Sequence, residues 1–142
     1  MCNVRATSIG EGSVAMVKKA VVLAAGHGTR LRPFTCVTPK PLMPVWGATM
    51  LDRMMSLLRE RGVDDFIVNS HHLHEQIREW SDAYRSAAQT QGEKVRIKVS
   101  YEPEILGNGG VLNPIRDWIG DEPFYLVNSD IIVENMPDLG HE

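Results

Sequence analysis

Residues 20–25 form an unbroken apolar run, Ala-Val-Val-Leu-Ala-Ala. That pattern suits a strand buried on both faces and is too short to span a membrane. A Gly- and Pro-rich stretch follows over 26–47. Leu51, Met54, Met55 and Leu58 then recur at helical spacing. Thr49 is the expected N-cap, Asp52 sits in the first turn, and Gly62 closes the helix at its C′ position. A short strand is expected over 66–69. Leu73, Ile77, Trp80 and Tyr84 mark one face of a second helix. Val95, Ile97, Val99 and Tyr101 alternate with polar residues, as in a half-buried strand. Val111, Leu112, Ile115, Trp118 and Ile119 predict a third helix closed by Gly120, and the apolar run 124–128 predicts a fourth strand.

Strands alternating with helices imply βαβ units with right-handed crossovers. The expected class is α/β, a doubly wound, mostly parallel sheet with helices on both faces. Ligands of such sheets sit beyond the carboxyl ends of the strands. The rule selects four loops, at 26–30, 69–72, 102–110 and 128–130.

Composition narrows the partners. The 142 residues carry 15 Lys and Arg against 18 Asp and Glu, a net charge of -3, and are 43% apolar. A chain of that makeup folds, and it has no electrostatic footprint for nucleic acid or for an anionic membrane. An anionic ligand must therefore be held by a local site. Cys2 and Cys36 are too few for a disulfide framework or a zinc cluster, so a reducing, cytoplasmic setting is expected. Residues 1–15 are small and polar and without period; they read as an extension, with the domain starting at Met16 and running over 16–142.

The candidate chemistry lies in two neighbouring loops. Leu23, Ala24 and Ala25 run into Gly26-His27-Gly28-Thr29-Arg30. Glycines let a backbone approach a phosphate chain with its N–H groups turned inward, and an arginine beyond can clamp phosphate oxygens. A tight strand-to-helix turn also favours glycine, so this stretch alone is weak. It is not a P-loop, since no Lys-Ser/Thr pair follows, and Leu31 stands where a dinucleotide fingerprint needs its third glycine. Further on, Pro39-Lys40-Pro41 fixes a lysine in a pre-organised backbone. The bland alternative is a stiff surface loop with a solvated lysine.

Together, residues 23–31 and 39–45 with Gly47 resemble the signature of the sugar-1-phosphate nucleotidyltransferases. These enzymes join a nucleoside triphosphate to a sugar 1-phosphate and release pyrophosphate. Residues 102–110 look like the loop that contacts base and ribose, and Val127-Asn128-Ser129-Asp130 like the metal-aspartate turn. The chain is most similar to the branch of mannose-1-phosphate guanylyltransferases and N-acetylmuramate-1-phosphate uridylyltransferases. The resemblance implies that Leu23, Ala24, Ala25, Gly26, Gly28 and Thr29 wrap the triphosphate, with Glu102, Gly107, Asn108 and Gly109 on the nucleoside side. It gives catalytic roles to Arg30 on the departing pyrophosphate, Lys40 at the α-phosphate, and Asp130 as a ligand of Mg²⁺. Family members are generally longer, so the expected fold is the nucleotide-binding half of a Rossmann-like domain. A homo-oligomer is left open.

Side-chain chemistry gives an expectation for the base. A carboxylate at Glu102 offers only acceptors, which suit the two adjacent donors of guanine better than the single ring N–H of uracil. GTP is therefore expected ahead of UTP. His71, His72 and His74 have poor spacing for a metal and are expected to be solvated or helix-capping. Trp80 and Trp118 fall on apolar stripes and read as core. Two other readings stay in view: a nucleotide-binding module without turnover, and half of a nicotinamide-dependent dehydrogenase.

Overall fold

The computed structural model describes residues 16–131. The expected extension over 1–15 and the residues after 131 lie outside that range.

Four parallel strands make the main sheet. They are β1 (Lys19–Leu23), β4 (Asp65–Ser70), β5 (Arg96–Tyr101) and β6 (Phe124–Asn128), in the order β5-β4-β1-β6. A small antiparallel pair, β2 (Pro44–Val45) and β3 (Ala48–Thr49), lies apart from it. The chain steps outward from β1 through β4 to β5, then returns to pair β6 on the other side of β1. The direction of winding thus reverses between β1 and β6. In open α/β sheets such a switch point opens a crevice at the carboxyl ends of the strands.

Helices cover both faces, as expected. On one face α1 (Met50–Glu60) and α2 (His74–Thr90) bury Leu51, Met54, Met55, Leu58 and Ile77 against Ala20, Val22, Phe66 and Val68. Complete burial of such a side chain contributes about 1.5–3 kcal/mol. The start of α1 follows the predicted cap. Thr49 Oγ1 accepts from the Asp52 N–H at 3.0 Å while the Thr49 N–H donates back to Asp52 Oδ2 at 3.2 Å. A cap of this kind stabilises a helix by about 1 kcal/mol. Asp52 Oδ1 also accepts from Trp80 Nε1 at 2.8 Å, so the cap ties α1 to α2.

The opposite face is covered differently from the prediction. In place of one helix over 111–119 there are two single turns, α3 (Gly107–Gly110) and α4 (Arg116–Ile119). Pro114 has no N–H to give, and proline disfavours helical geometry in the residue before it, so the helix does not run through. The apolar pattern still finds its target: Val111 and Ile115 are buried, with Leu112, Trp118 and Ile119 against Val21 and Ile67. Trp80 and Trp118 are half-buried at the edges of the two cores, each with its indole N–H on an aspartate. β6 is less buried than its apolar run suggests, because it is an edge strand among the described residues; Leu126 remains 42% exposed.

Candidate active site

The loops at the carboxyl ends meet in a cleft of about 180 Å³ at the switch point. Leu23, Ala24, Ala25 and Gly26 supply one wall from the end of β1, and Asn128, Ser129 and Asp130 another from the end of β6. Lys40 and Pro41 stand over it, and Glu102, Ile105 and Gly107 close the side nearest β5. Ser129 locks the β6 end to β1: its N–H and its Oγ both donate to the Leu23 carbonyl, at 3.1 and 2.7 Å. The turn that presents Asp130 is therefore fixed to the strand that presents the glycine loop.

Lys40 opens a tight turn over Lys40–Leu42, with Pro39 extended before it and Pro41 buried inside it. Its Nζ lies 2.5 Å from Asp130 Oδ2. Gly28 explains why the two loops pack so closely. Its φ is 62°, and a Cβ there would meet Thr35 Cγ2 at 2.8 Å and Lys40 Cβ at 3.1 Å. Thr35, which the sequence did not single out, is buried and donates from Oγ1 to the Gly28 carbonyl at 2.9 Å.

Not every expected residue reaches the cleft. Thr29 and Arg30 lie on an exposed turn over Thr29–Leu31, outside the cleft lining. Gly28 and Gly109 also stand outside it, and the side chain of Asn108 is outside the described set. Gly26 is on the lining with open space around it, the condition for a backbone to face a ligand closely.

Glu102 behaves unlike its sequence expectation. It is 2% exposed, and both carboxylate oxygens are engaged. Oε1 accepts from Asn69 Nδ2 at 2.7 Å and Oε2 from the Leu106 N–H at 3.1 Å. Asn69, absent from the sequence-derived set, accepts in turn from the Ala24 N–H at 2.6 Å. The histidines also tie loops. His71 Nδ1 donates to the Glu102 carbonyl at 2.7 Å and His72 Nε2 to the Thr35 carbonyl at 2.6 Å. Since a carbonyl can only accept, these partners fix the tautomers. His74 Nδ1 shares a hydrogen bond with Ser70 Oγ at 2.7 Å. None of the three is simply solvated.

For a metal, the donor set is sparse. Among the described residues no three His, Cys, Asp or Glu side chains are grouped to hold an ion. Asp130 Oδ1 has no partner among them, and its carboxylate faces the cleft. One carboxylate, with phosphate and water oxygens completing the shell, is a set that fits Mg²⁺ and does not fit zinc.

Parallel winding, a crevice at the reversal point, and a lysine and an aspartate brought into it define an α/β domain with a candidate site at its switch point. The chain belongs to the nucleotidyl transferase family, whose family model matches residues 19–140. It is 34% identical over 127 residues to a UTP–glucose-1-phosphate uridylyltransferase of Synechocystis sp., covering 82% of this chain and 31% of that protein. It is 32% identical over 120 residues to the N-acetylmuramate alpha-1-phosphate uridylyltransferase of Neisseria meningitidis, covering 82% of this chain and 48% of that protein. Against the mannose-1-phosphate guanylyltransferase catalytic subunit beta of Danio rerio it is 35% identical over 118 residues, with 82% and 31% covered. The chain thus spans half or less of the length of these relatives. Among solved structures, HddC from Yersinia pseudotuberculosis complexed with GMP-PN superposes with a TM-score of 0.63 at 27% identity, over 80% of this chain and 48% of that one. A UDP-glucose pyrophosphorylase of Acinetobacter shares the fold, with a TM-score of 0.68 at 21% identity over 81% and 46% of the two chains.

Proposed function

We propose that the cleft takes a nucleoside triphosphate and supports transfer of its nucleoside monophosphate to a sugar 1-phosphate, giving a nucleotide sugar and pyrophosphate. The observation that carries this reading is the meeting of Lys40 and Asp130 beside the 23–26 turn, at the switch point of a parallel sheet. The activities named for the curated relatives, uridylyl and guanylyl transfer to sugar 1-phosphates, support it.

The chemistry asks little of acids and bases. A sugar 1-phosphate oxygen, already ionised, attacks the α-phosphorus, and the bond from that phosphorus to the oxygen bridging the β-phosphate breaks. Pyrophosphate leaves with the electron pair, and no proton need move. What the reaction needs is positioning and neutralisation of charge. Lys40 meets that need at the α-phosphate with a charge held in place by two prolines. Gly26 allows the backbone to face the phosphates, and Arg30, on its exposed turn, is free to follow the departing pyrophosphate. Asp130 would hold Mg²⁺, which when bound supplies further neutralising charge.

The preference for GTP gains no support from the site. It required a carboxylate offering both oxygens to guanine, and both Glu102 oxygens already accept from Asn69 and Leu106. The relatives' own names include uridylyl and guanylyl transfer, so they do not supply the base either.

Calorimetric titration with GTP, UTP, CTP and ATP in the presence of Mg²⁺ tests the reading. At least one triphosphate is expected to bind, and Lys40→Ala to weaken it by about tenfold or more. A chain that binds none of the four overturns it. Pyrophosphate release with glucose 1-phosphate, mannose 1-phosphate and N-acetylmuramate 1-phosphate then tests transfer.

A further inference from the structure

Three strand ends are joined by one chain of hydrogen bonds that the reaction itself does not use. The Ala24 N–H, just after β1, donates to Asn69 Oδ1; Asn69 Nδ2, in β4, donates to Glu102 Oε1; and the Leu106 N–H donates to Glu102 Oε2. The Glu102 backbone is held as well, its N–H donating to the Ser70 carbonyl at 2.8 Å and its carbonyl accepting from His71 Nδ1. Every polar atom of Glu102 has a partner, and Asn69 and Glu102 are 4% and 2% exposed. Ala24 lines the cleft at the end of β1 and Glu102 begins the 102–107 loop that closes it on the side nearest β5, with Asn69 between the two.

The polarity of this chain is dictated at both ends. A backbone N–H can only donate. Ala24 therefore requires the oxygen of Asn69, which turns the Asn69 amide nitrogen, also a donor, toward residue 102. Leu106 brings a second donor to the same side chain. Residue 102 must accept at both of its terminal atoms, and an ionised carboxylate does so. A glutamine cannot: whichever way it and Asn69 are flipped, one pair of donors is left facing each other in a buried site.

We propose that Asn69 and Glu102 form a positioning relay that sets the separation of these two sides of the cleft, and that Glu102 is glutamate because the relay needs two acceptors, not because it reads a base. The consequence for the nucleotide is uniform. Breaking the relay weakens all four triphosphates alike and leaves their ranking unchanged. This binding consequence rests on the proposed function, whereas the relay itself can be read from amide protection.

The test is an exchange of polarity. Glu102→Gln opposes two donors, and Asn69→Asp opposes two carboxylates. The double variant satisfies every position: the carboxylate now at position 69 accepts from Ala24 and from the side-chain amide now at position 102, whose oxygen accepts from Leu106. Its formal charge equals that of the wild type. Hydrogen exchange at the Ala24 and Leu106 amides, at mildly alkaline pH, is expected to accelerate about tenfold in at least one amide of each single variant and to recover in the double. Binding of GTP, UTP, CTP and ATP should fall by a common factor in the singles and recover alongside. A double variant no better than the worse single overturns the relay, as does Glu102→Gln with wild-type protection at Leu106. A change of about tenfold in the GTP-to-UTP affinity ratio in Glu102→Gln would make Glu102 a reader of the base and overturn it too. If the wild-type chain binds no triphosphate, the proposed function falls, and the exchange data still decide the relay.

Discussion

Lys40 and Asp130, 90 positions apart in the chain, meet through Nζ and Oδ2 at 2.5 Å. Neither is buried; their side chains are 31% and 38% exposed, so the pair faces the cleft and remains open to a ligand. Each is aimed by its own backbone lock, Lys40 by the flanking prolines and Asp130 by the clasp of Ser129 on the Leu23 carbonyl. A cation and an anion held at one point neutralise each other until something more highly charged arrives. A triphosphate offers Lys40 more negative charge than one carboxylate does, and a divalent ion offers Asp130 more positive charge than one ammonium does. The arrangement suits a site that takes both together.

The two glycines of the 26–28 loop differ in what a side chain there would meet. Gly28→Ala should cost about 1–3 kcal/mol of folding stability, because φ is 62° and the new Cβ would press on Thr35 and Lys40. Gly26→Ala has nothing within 4 Å of its new Cβ. Its stability should stay within about 0.5 kcal/mol of wild type while triphosphate binding weakens. Urea denaturation and calorimetry on the two variants check this contrast. Equal stability in both would mean that Gly28 is not the contact that holds the loops together.

Arg30 and Lys40 should differ in the same way. Arg30 is exposed and has no partner among the described residues, so Arg30→Ala should shift the melting temperature by about 2 °C or less. Lys40→Ala removes the partner of Asp130 and should alter the surroundings of that turn, seen as amide shifts near residues 128–130. Both should weaken triphosphate binding. An Arg30→Ala variant that binds like wild type would place Arg30 outside the site.

Much of the fold was legible because its signals are local. The apolar run at 20–25, the Leu51 to Leu58 spacing and the Thr49 cap each act within a few residues, and each forms nearly where expected. The helix over 111–119 failed for a local reason as well: periodicity registered the buried Val111 and Ile115 but gave no weight to Pro114 between Asn113 and Ile115. The site was legible in part. Lys40 and Asp130 stand in recognisable stretches, whereas Asn69 and Thr35 take their roles from partners 45 and 7 positions away. Nothing in the pattern of residues 66–69 distinguishes a strand end that faces solvent from one that captures the Ala24 amide. Glu102 was found by motif, but its hydrogen bonds to Asn69 and Leu106 could not be, since those partners only become neighbours in the folded sheet.

Tyr84 gives a stability signal at alkaline pH. Burial pushes its phenol above the ordinary value of 10.0, against the opposing hydrogen bond and charge of Arg59. A folded-state pKa above the unfolded one means that the folded state keeps the proton longer. The stability is fully present below the unfolded pKa and is lost as pH rises through the folded one. Denaturation midpoints should therefore fall as pH climbs above about 10, and Tyr84→Phe should flatten that slope. An unchanged slope would assign the alkaline loss to other groups.

Asp130 should make nucleotide binding depend on the metal. Triphosphate affinity should be higher with Mg²⁺ than with EDTA, and Asp130→Asn should remove most of that difference, since a hard cation held by Asp130 would need its charged oxygen. The Lys40 contact adds a sign that a simple loss of function would not give. On the proposed function Lys40 and the ion would compete for one carboxylate, so removing the lysine should lower affinity overall yet enlarge the ratio between the Mg²⁺ and EDTA measurements. Lys40→Met is the suitable variant, because it keeps most of the side chain's length without its charge. Four proteins titrated with and without metal decide the matter: wild type, Asp130→Asn, Lys40→Met, and the double variant. In the double variant the enlarged ratio should vanish, because the carboxylate that Lys40 released is no longer there. If Asp130→Asn keeps the wild-type ratio, Asp130 is a turn residue paired with Lys40 and any ion is held by phosphate alone. If Lys40→Met leaves the ratio unchanged while Asp130→Asn abolishes it, the ion and the lysine use different oxygens of the same carboxylate and do not compete.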